Sequence, residues 1–164
     1  MKRLILLLLV VFMVMGILAG CASKWQTFDE FFGTFDDVSD ANGVKKILSG
    51  YQYEQKSLEI ADNFVFDSIE VWGNNWSGAI SVTDMDVNVA IRKAFEEESD
   101  REQFYQKVLE QLTSEFGEGS QGTLESGTEY IGWEEKGWKL SVMMTTFRDL
   151  PAVSVVYYHM MDEA

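Results

Sequence analysis

The residue types that most often perform catalysis or bind metals are scarce in this chain of 164 residues. It contains one cysteine, Cys21, and one histidine, His159. These counts exclude a disulfide framework and a His/Cys zinc site. His159 lies in an alternating apolar stretch near the end of the chain, which favours a structural histidine over a catalytic one. We therefore predict no catalytic residue, no metal ligand and no cofactor.

Carboxylates are the one catalytic residue type present in quantity, with 27 Asp and Glu side chains. Two carboxylates at a suitable separation are sufficient for glycoside hydrolysis. The spacing of the acids selects no particular pair. A small hydrolase that uses paired carboxylates therefore remains an alternative to a binding protein.

One acidic stretch begins like a calcium-binding loop, with Asp84, Asp86 and Asn88 at alternate positions. Such a loop requires Gly at its sixth position and Glu at its twelfth. This chain has Val89 and Phe95 there. We therefore interpret the acids as the N-terminal residues of a helix, where negative charge is stabilised by the helix dipole.

Four tryptophans lie on segments that are predicted to form β-hairpins: Trp72, Trp76, Trp133 and Trp138. Indole rings stack on sugars, but they equally fill hydrophobic cores. The core is our interpretation, and a carbohydrate-binding or other ligand-binding protein remains the third possibility. The chain has no glycine-rich phosphate loop, and its net charge of −14 argues against nucleic acid as a partner.

The N-terminus has the composition of a secretory signal. Lys2 and Arg3 are basic, residues 4–20 contain no polar side chain, and the next charge is Lys24. The apolar stretch ends in the tetrapeptide Leu18, Ala19, Gly20 and Cys21.

This tetrapeptide resembles the lipobox of bacterial lipoproteins, a resemblance that covers residues 1–21 alone. In that family the cysteine thiol receives a diacylglyceryl group, the signal peptide is cut just before the cysteine, and the new amino terminus is often acylated too. The resemblance implies that Cys21 is lipidated and that cleavage falls between Gly20 and Cys21. Cys21 would then anchor the protein to a bacterial membrane, with the rest of the chain at the cell surface or in the periplasm.

The alternative is an uncleaved transmembrane segment, for which the 17 residues of 4–20 lie near the lower length limit. Both interpretations place residues 22–164 outside the cytoplasm. The predicted organisation is a signal peptide over 1–20, a lipidated tether over 21–26 and a single α+β domain over 27–164. Loss of Lys2 and Arg3 leaves 11 cationic side chains against 27 carboxylates, a formal charge of −16.

Helices are predicted from apolar residues at helical spacing. Thr27 and Glu30 have the spacing of a capping box, with Gly33 as a stop. Further helices are expected over 36–49, over 87–95 and after a capping box at Ser99. The last helix carries an apolar stripe made of Tyr105, Leu109, Leu112 and Phe116.

Strands are predicted from alternation and β-branched content. The expected segments are 51–60, 64–72, 76–82, 130–133, 138–144 and 152–161. The last is apolar on both faces, which is typical of a central strand. Residues 118–128 are rich in Gly, Ser and Gln and are predicted to form a mobile loop. The fold class is α+β, an antiparallel sheet of five to seven strands with helices packed on one face.

These features favour a non-enzymatic, lipid-anchored module that recognises a protein or peptide partner. The membrane is the second partner, through the lipid on Cys21. Loop 118–128 is the expected contact surface, because binding residues concentrate on loops that a rigid scaffold holds.

We expect Cys21→Ser to abolish incorporation of a fatty-acid probe, because serine lacks the thiol that receives the lipid. Metabolic labelling of the wild-type and mutant chains measures this directly. Equal labelling of both chains would exclude Cys21 as the lipidation site.

Overall fold

A computed structural model of the chain describes residues 24–160. The predicted signal peptide, the lipobox and Cys21 lie outside the described residues, so the structure does not bear on them.

Residues 24–160 contain three helices and eight strands. The helices are α1 (Phe28–Gly33), α2 (Ala41–Ile47) and α3 (Glu98–Phe116). The strands are β1 (Glu54–Ser57), β2 (Asp62–Val71), β3 (Asn74–Val82), β4 (Asp86–Ala94), β5 (Ser120–Thr123), β6 (Glu129–Glu135), β7 (Trp138–Phe147) and β8 (Leu150–Met160).

All eight strands form one sheet in the order β1-β2-β3-β4-β8-β7-β6-β5, and every neighbouring pair is antiparallel. The sheet consists of two four-strand meanders, β1–β4 and β5–β8, with α3 between them in the chain. The last strands of the two meanders pair at the centre, where Ala90 lies opposite Val156. Each meander therefore runs from one edge of the sheet to its centre, with its first strand at the edge and its last strand at the centre.

The predicted α+β class and antiparallel sheet are confirmed, but the sheet has eight strands rather than five to seven. One additional strand is β4, where a helix was predicted over 87–95. Val87, Val89 and Ile91 alternate and are fully buried, and β4 is hydrogen-bonded to a neighbour on each side. Tertiary pairing thus overrides the helical spacing of the apolar residues. Asp86 begins a strand, and its interpretation as a helix N-terminal residue is wrong.

The other additional strand is β5, inside the segment that was predicted to be a mobile loop. Ser120 pairs with Gly132, and Thr123 pairs with Glu129. A Cβ atom added at Gly119 would lie 2.9 Å from the Trp133 ring, so the chain passes close to β6 here. Small polar residues carry little strand signal, which explains why the sequence did not reveal this edge strand.

The predicted starts and ends of the helices are confirmed only in part. The Thr27 hydroxyl accepts a hydrogen bond from the Glu30 N–H at 3.0 Å, and α1 ends at Gly33 as predicted. Helix α2 is shorter than the predicted 36–49 and is capped by the Asp40 carboxylate. Helix α3 starts one residue before Ser99 and has no side-chain cap, so the capping box predicted there is wrong.

The core lies against one face of the sheet, which α1 and α3 cover. Phe32 of α1 stacks on Tyr157 at a centroid distance of 5.0 Å, and Phe28 meets Trp76 edge-on at 5.8 Å. Strand β8 lies at the centre of the sheet, as its apolar character predicted, and residues 152–155 are all buried. The central position explains why both faces of this strand are apolar or small.

We expect Leu112→Ala to lower the free energy of unfolding by about 2–5 kcal/mol, because it opens a cavity at a fully buried position of α3. Leu109 is only half-buried, so Leu109→Ala should cost less. Urea unfolding followed by circular dichroism measures both, with the exposed Glu110→Ala on the same helix as control. Equal midpoints for Leu112→Ala and Glu110→Ala would show that α3 does not contribute to the core at this position.

Candidate functional site

The calcium-like acids lie in the tight turn between β3 and β4. The Thr83 hydroxyl accepts hydrogen bonds from the N–H groups of Met85 and Asp86, at 3.1 and 3.0 Å. The two carboxylate oxygens of Asp86 accept from Thr83 and from the Tyr158 hydroxyl, each at 3.1 Å. Asp86 therefore holds the turn together. Across residues 24–160 no three His, Cys, Asp or Glu side chains are grouped to hold a metal ion.

His159 packs against a tyrosine and faces a carboxylate. Its Nδ1 lies 3.8 Å from an Asp36 oxygen and 3.5 Å from the Tyr157 hydroxyl, and the imidazole ring is nearly parallel to the Tyr157 ring. No serine is among its hydrogen-bond partners in the described chain. The side chain is 18% exposed. This arrangement is that of a partly buried histidine held by its neighbours.

Tyr157 and Asp36 form the central hydrogen bond of this region. The Tyr157 hydroxyl donates to Asp36 Oδ1 at 2.5 Å, which joins β8 to the segment that follows α1. Burial, followed by the Asp36 carboxylate, raises the pKa of Tyr157 far above its usual range. Tyr157 is therefore a fixed hydrogen-bond donor and does not act as a base at any physiological pH.

A cavity of about 310 Å³ opens beside this hydrogen bond. We call it the acidic-aromatic cleft, since four carboxylates and four aromatic rings line it. Its lining consists of Asp29, Phe32, Gly33, Asp36, Glu115, Phe116, Glu135, Trp138 and Tyr157. The lining comes from α1 and the segment that follows it, the last turn of α3, the end of β6, the start of β7, and β8.

The aromatic wall of the cleft is continuous. Trp138 contacts Phe116 edge-on at 5.7 Å and lies nearly parallel to Tyr157 at 6.3 Å, while Phe32 covers the Tyr157 ring. Trp138 is half-buried, whereas Trp76 and Trp133 are buried in the core as predicted. For Trp138 the core interpretation is therefore incomplete, because its ring also borders the cleft.

Two of the four carboxylates are fixed by hydrogen bonds. Asp36 accepts from Tyr157, and Glu115 accepts from the Asp29 N–H at 2.7 Å and from the Gln111 amide. The Glu115 contact ties the end of α3 to the first turn of α1. The side chains of Asp29 and Glu135 have no such partner among the described residues.

No lysine or arginine contributes to the lining of the cleft. The lining therefore carries carboxylates without a lysine or arginine to balance them, and the carboxylates reinforce the attraction that aromatic faces have for cations.

A second cavity, of about 510 Å³, adjoins the cleft. The two share Phe116, Glu135 and Trp138. The second cavity extends to Tyr130, Tyr158 and Lys139, and the Lys139 ammonium lies 2.9 Å from Glu134. Lys139 and Tyr158 alternate with Trp138 and Tyr157 along their strands, so this part of the second cavity lies on the opposite face of the sheet from the Tyr157 side of the cleft.

Sequence reasoning missed the cleft. Asp36 and Tyr157 are separated by 121 residues, and neither belongs to a local motif. The one available signal was the alternation of β8, which directs Tyr157 to the helix-covered face.

Among residues 24–160 no helix is both long and apolar enough to cross a bilayer. Neither a protein-family model, nor a curated protein, nor a solved structure matches this chain.

We expect Tyr157→Phe to flatten the loss of stability at alkaline pH. An unfolded tyrosine ionises near pH 10, whereas folded Tyr157 keeps its proton, so the free energy of unfolding falls as the pH rises above about 10. The stabilisation is fully present below that pH. Urea unfolding between about pH 8 and 11 measures the slope.

The matched control is Tyr130→Phe, because the Tyr130 hydroxyl has no hydrogen-bond partner among the described residues. At neutral pH, Tyr157→Phe should also cost about 1 kcal/mol, since Asp36 loses a hydrogen bond. An alkaline slope for Tyr157→Phe that equals the wild-type slope would contradict the expectation.

Proposed function

We propose that this chain is a lipid-anchored, extracytoplasmic binding protein that holds a protein or peptide partner by a basic side chain in the acidic-aromatic cleft. The observation that carries the proposal is the lining of the cleft, in which carboxylates and aromatic rings meet without a lysine or arginine. The partner supplies the missing positive charge.

An arginine or lysine side chain matches both components of the cleft. Its aliphatic stem packs on aromatic surface, and its charged end pairs with carboxylates. A cation over an aromatic ring gains about 0.5–2 kcal/mol, with indole as the best acceptor. The cavity volume of about 310 Å³ lies at the lower end of ligand sites, which span roughly 300–1,000 Å³. A single side chain of a larger partner suits this size.

The hydrogen bonds of two of the four carboxylates favour a binding role for those two. Paired-carboxylate hydrolysis needs one acid and one base that are free to exchange protons with the substrate. Asp36 is held by Tyr157, and Glu115 is held by Asp29 and Gln111. Fixed acceptors of this kind are suited to the recognition of a cation.

The position of the cleft suits a protein that is anchored through Cys21. Trp25 pairs with Val71 at one end of β2, so the chain enters the sheet there. Strands β4 and β3 lie between β8 and β2, and across these two strands Tyr157 of β8 is in register with Phe64 of β2. Phe64 lies seven residues before Val71. At about 3.3 Å per residue, the cleft lies roughly 20 Å along the strands from the entry point.

Peptide titration tests the proposal. The probes are a short peptide with a central arginine and the same peptide with citrulline, which keeps the shape of the side chain and lacks its charge. The mature lipidated chain in detergent micelles should bind the arginine peptide at least tenfold more tightly, and added salt should weaken the binding. Calorimetry measures the affinity, and Trp138→Leu should reduce it.

Glu135→Gln and Asp36→Asn should each weaken binding severalfold, because each removes one negative charge from the cleft. The matched control is Glu110→Gln, an exposed residue on α3 outside the lining. Equal affinity for the two peptides, or an equal effect of Glu110→Gln, would contradict the proposal. Hydrolytic turnover that a single Asp or Glu substitution abolishes would instead support the enzyme.

A further inference from the structure

The sheet face opposite the helices carries an arginine in a setting unlike that of the other described arginines. Arg92 lies on β4 and alternates with the buried residues Val89 and Ile91, so it points to the face that the helices leave uncovered. In the ladder it lies opposite Ser77 on one side and Ser154 on the other. Arg92 is half-buried.

Among residues 24–160, the Arg92 guanidinium forms no ion pair and no side-chain hydrogen bond. Its contact is with the Phe147 ring, 5.5 Å away. The other two described arginines are each ion-paired, Arg101 with Glu98 and Arg148 with Asp67. Arginine does not lose its proton in proteins, so the charge of Arg92 persists at every physiological pH.

Arg92 borders a cavity of about 280 Å³ whose other polar side chains are hydroxyls. The lining consists of Arg92, Met143, Thr145, Thr146, Phe147, Ser154 and Val156, without a carboxylate. Ser154 is 3% exposed, and its hydroxyl lies 2.7 Å from that of Thr145. The Arg92 guanidinium donates hydrogen bonds, and the hydroxyl that accepts in the Thr145–Ser154 pair keeps a hydrogen to donate, so this lining is complementary to an acceptor that carries negative charge.

We propose that Arg92, Thr145 and Ser154 form a binding site for an oxyanion, the carboxylate or phosphate group of a ligand. A guanidinium binds such groups through two parallel N–H···O bonds, which gives both strength and orientation. The guanidinium packs on the Phe147 ring, and β4 is paired on both sides, so the backbone that carries this donor is fixed in the sheet.

The net charge of the chain does not prevent this. Charges in water are screened beyond about 8 Å at physiological ionic strength. No carboxylate lines the cavity that Arg92 borders. The oxyanion site lies on the opposite face of the sheet from the Tyr157 side of the acidic-aromatic cleft, and it does not depend on the proposed function of that cleft.

The test is a titration of the lipidated chain in micelles with inorganic phosphate and, separately, with acetate. Sodium chloride keeps the ionic strength constant, and the backbone amide resonances of Thr145, Thr146 and Ser154 report binding. We expect saturable shifts at these residues with at least one of the two anions. Saturation by phosphate alone assigns a phosphate-bearing ligand, and saturation by acetate alone assigns a carboxylate.

Arg92→Gln should weaken that binding at least tenfold, and Arg92→Lys should weaken it less, because lysine keeps the charge but not the paired donors. The control is Arg148→Gln, which removes a guanidinium that also contacts Phe147 but lies outside the cavity lining. It should change the affinity by less than about twofold. Shifts that do not saturate in the wild-type chain, or binding that is unchanged in Arg92→Gln, would overturn the proposal. If Arg92→Gln does not fold, Arg92→Lys and Ser154→Ala decide, because loss of affinity in neither variant also overturns it.

Discussion

The antiparallel pairing of β4 with β8 is the constraint on which the rest of the structure depends. It joins two meanders that are far apart in the chain and makes one sheet of eight strands. Strands at the centre of a sheet have no free hydrogen-bonding edge. Both central strands place apolar side chains on the helix-covered face. There the phenylalanines of α1 and the buried residues of α3 complete the core.

Both candidate sites are consequences of this pairing. The acidic-aromatic cleft needs Tyr157 of β8 next to Asp36, which the first half of the chain supplies. The oxyanion site needs Arg92 of β4 next to Ser154 of β8. Because side chains alternate along a strand, one pair of central strands presents Tyr157 to one face and Arg92 to the other. The two candidate sites therefore lie on opposite faces of the sheet.

The two proposed sites carry charges of opposite sign although the chain as a whole is strongly acidic. The carboxylates of the cleft lie at the junction of helices and sheet, where aromatic rings exclude water from one side and strengthen electrostatic contacts. Arg92 instead borders a cavity lined by hydroxyl-bearing and apolar residues, without a carboxylate. The net charge of −14 determines the solubility of the chain and its long-range repulsion of other anions. Binding at each candidate site depends instead on the charged groups within a few ångströms of the ligand.

The amino-acid sequence by itself determined the elements with strong local signals: the hairpin of β2 and β3, the meander of β6 to β8, the central position of β8 and the extent of α3. These follow from alternation, turn residues and apolar spacing, which act over a few residues. Only the tertiary structure decided that residues 86–94 form a strand and that Asp36, Glu135 and Tyr157 share one cleft. A strand is stabilised by its neighbours in the sheet, and a site by residues from distant segments, so neither leaves a pattern within one stretch of sequence.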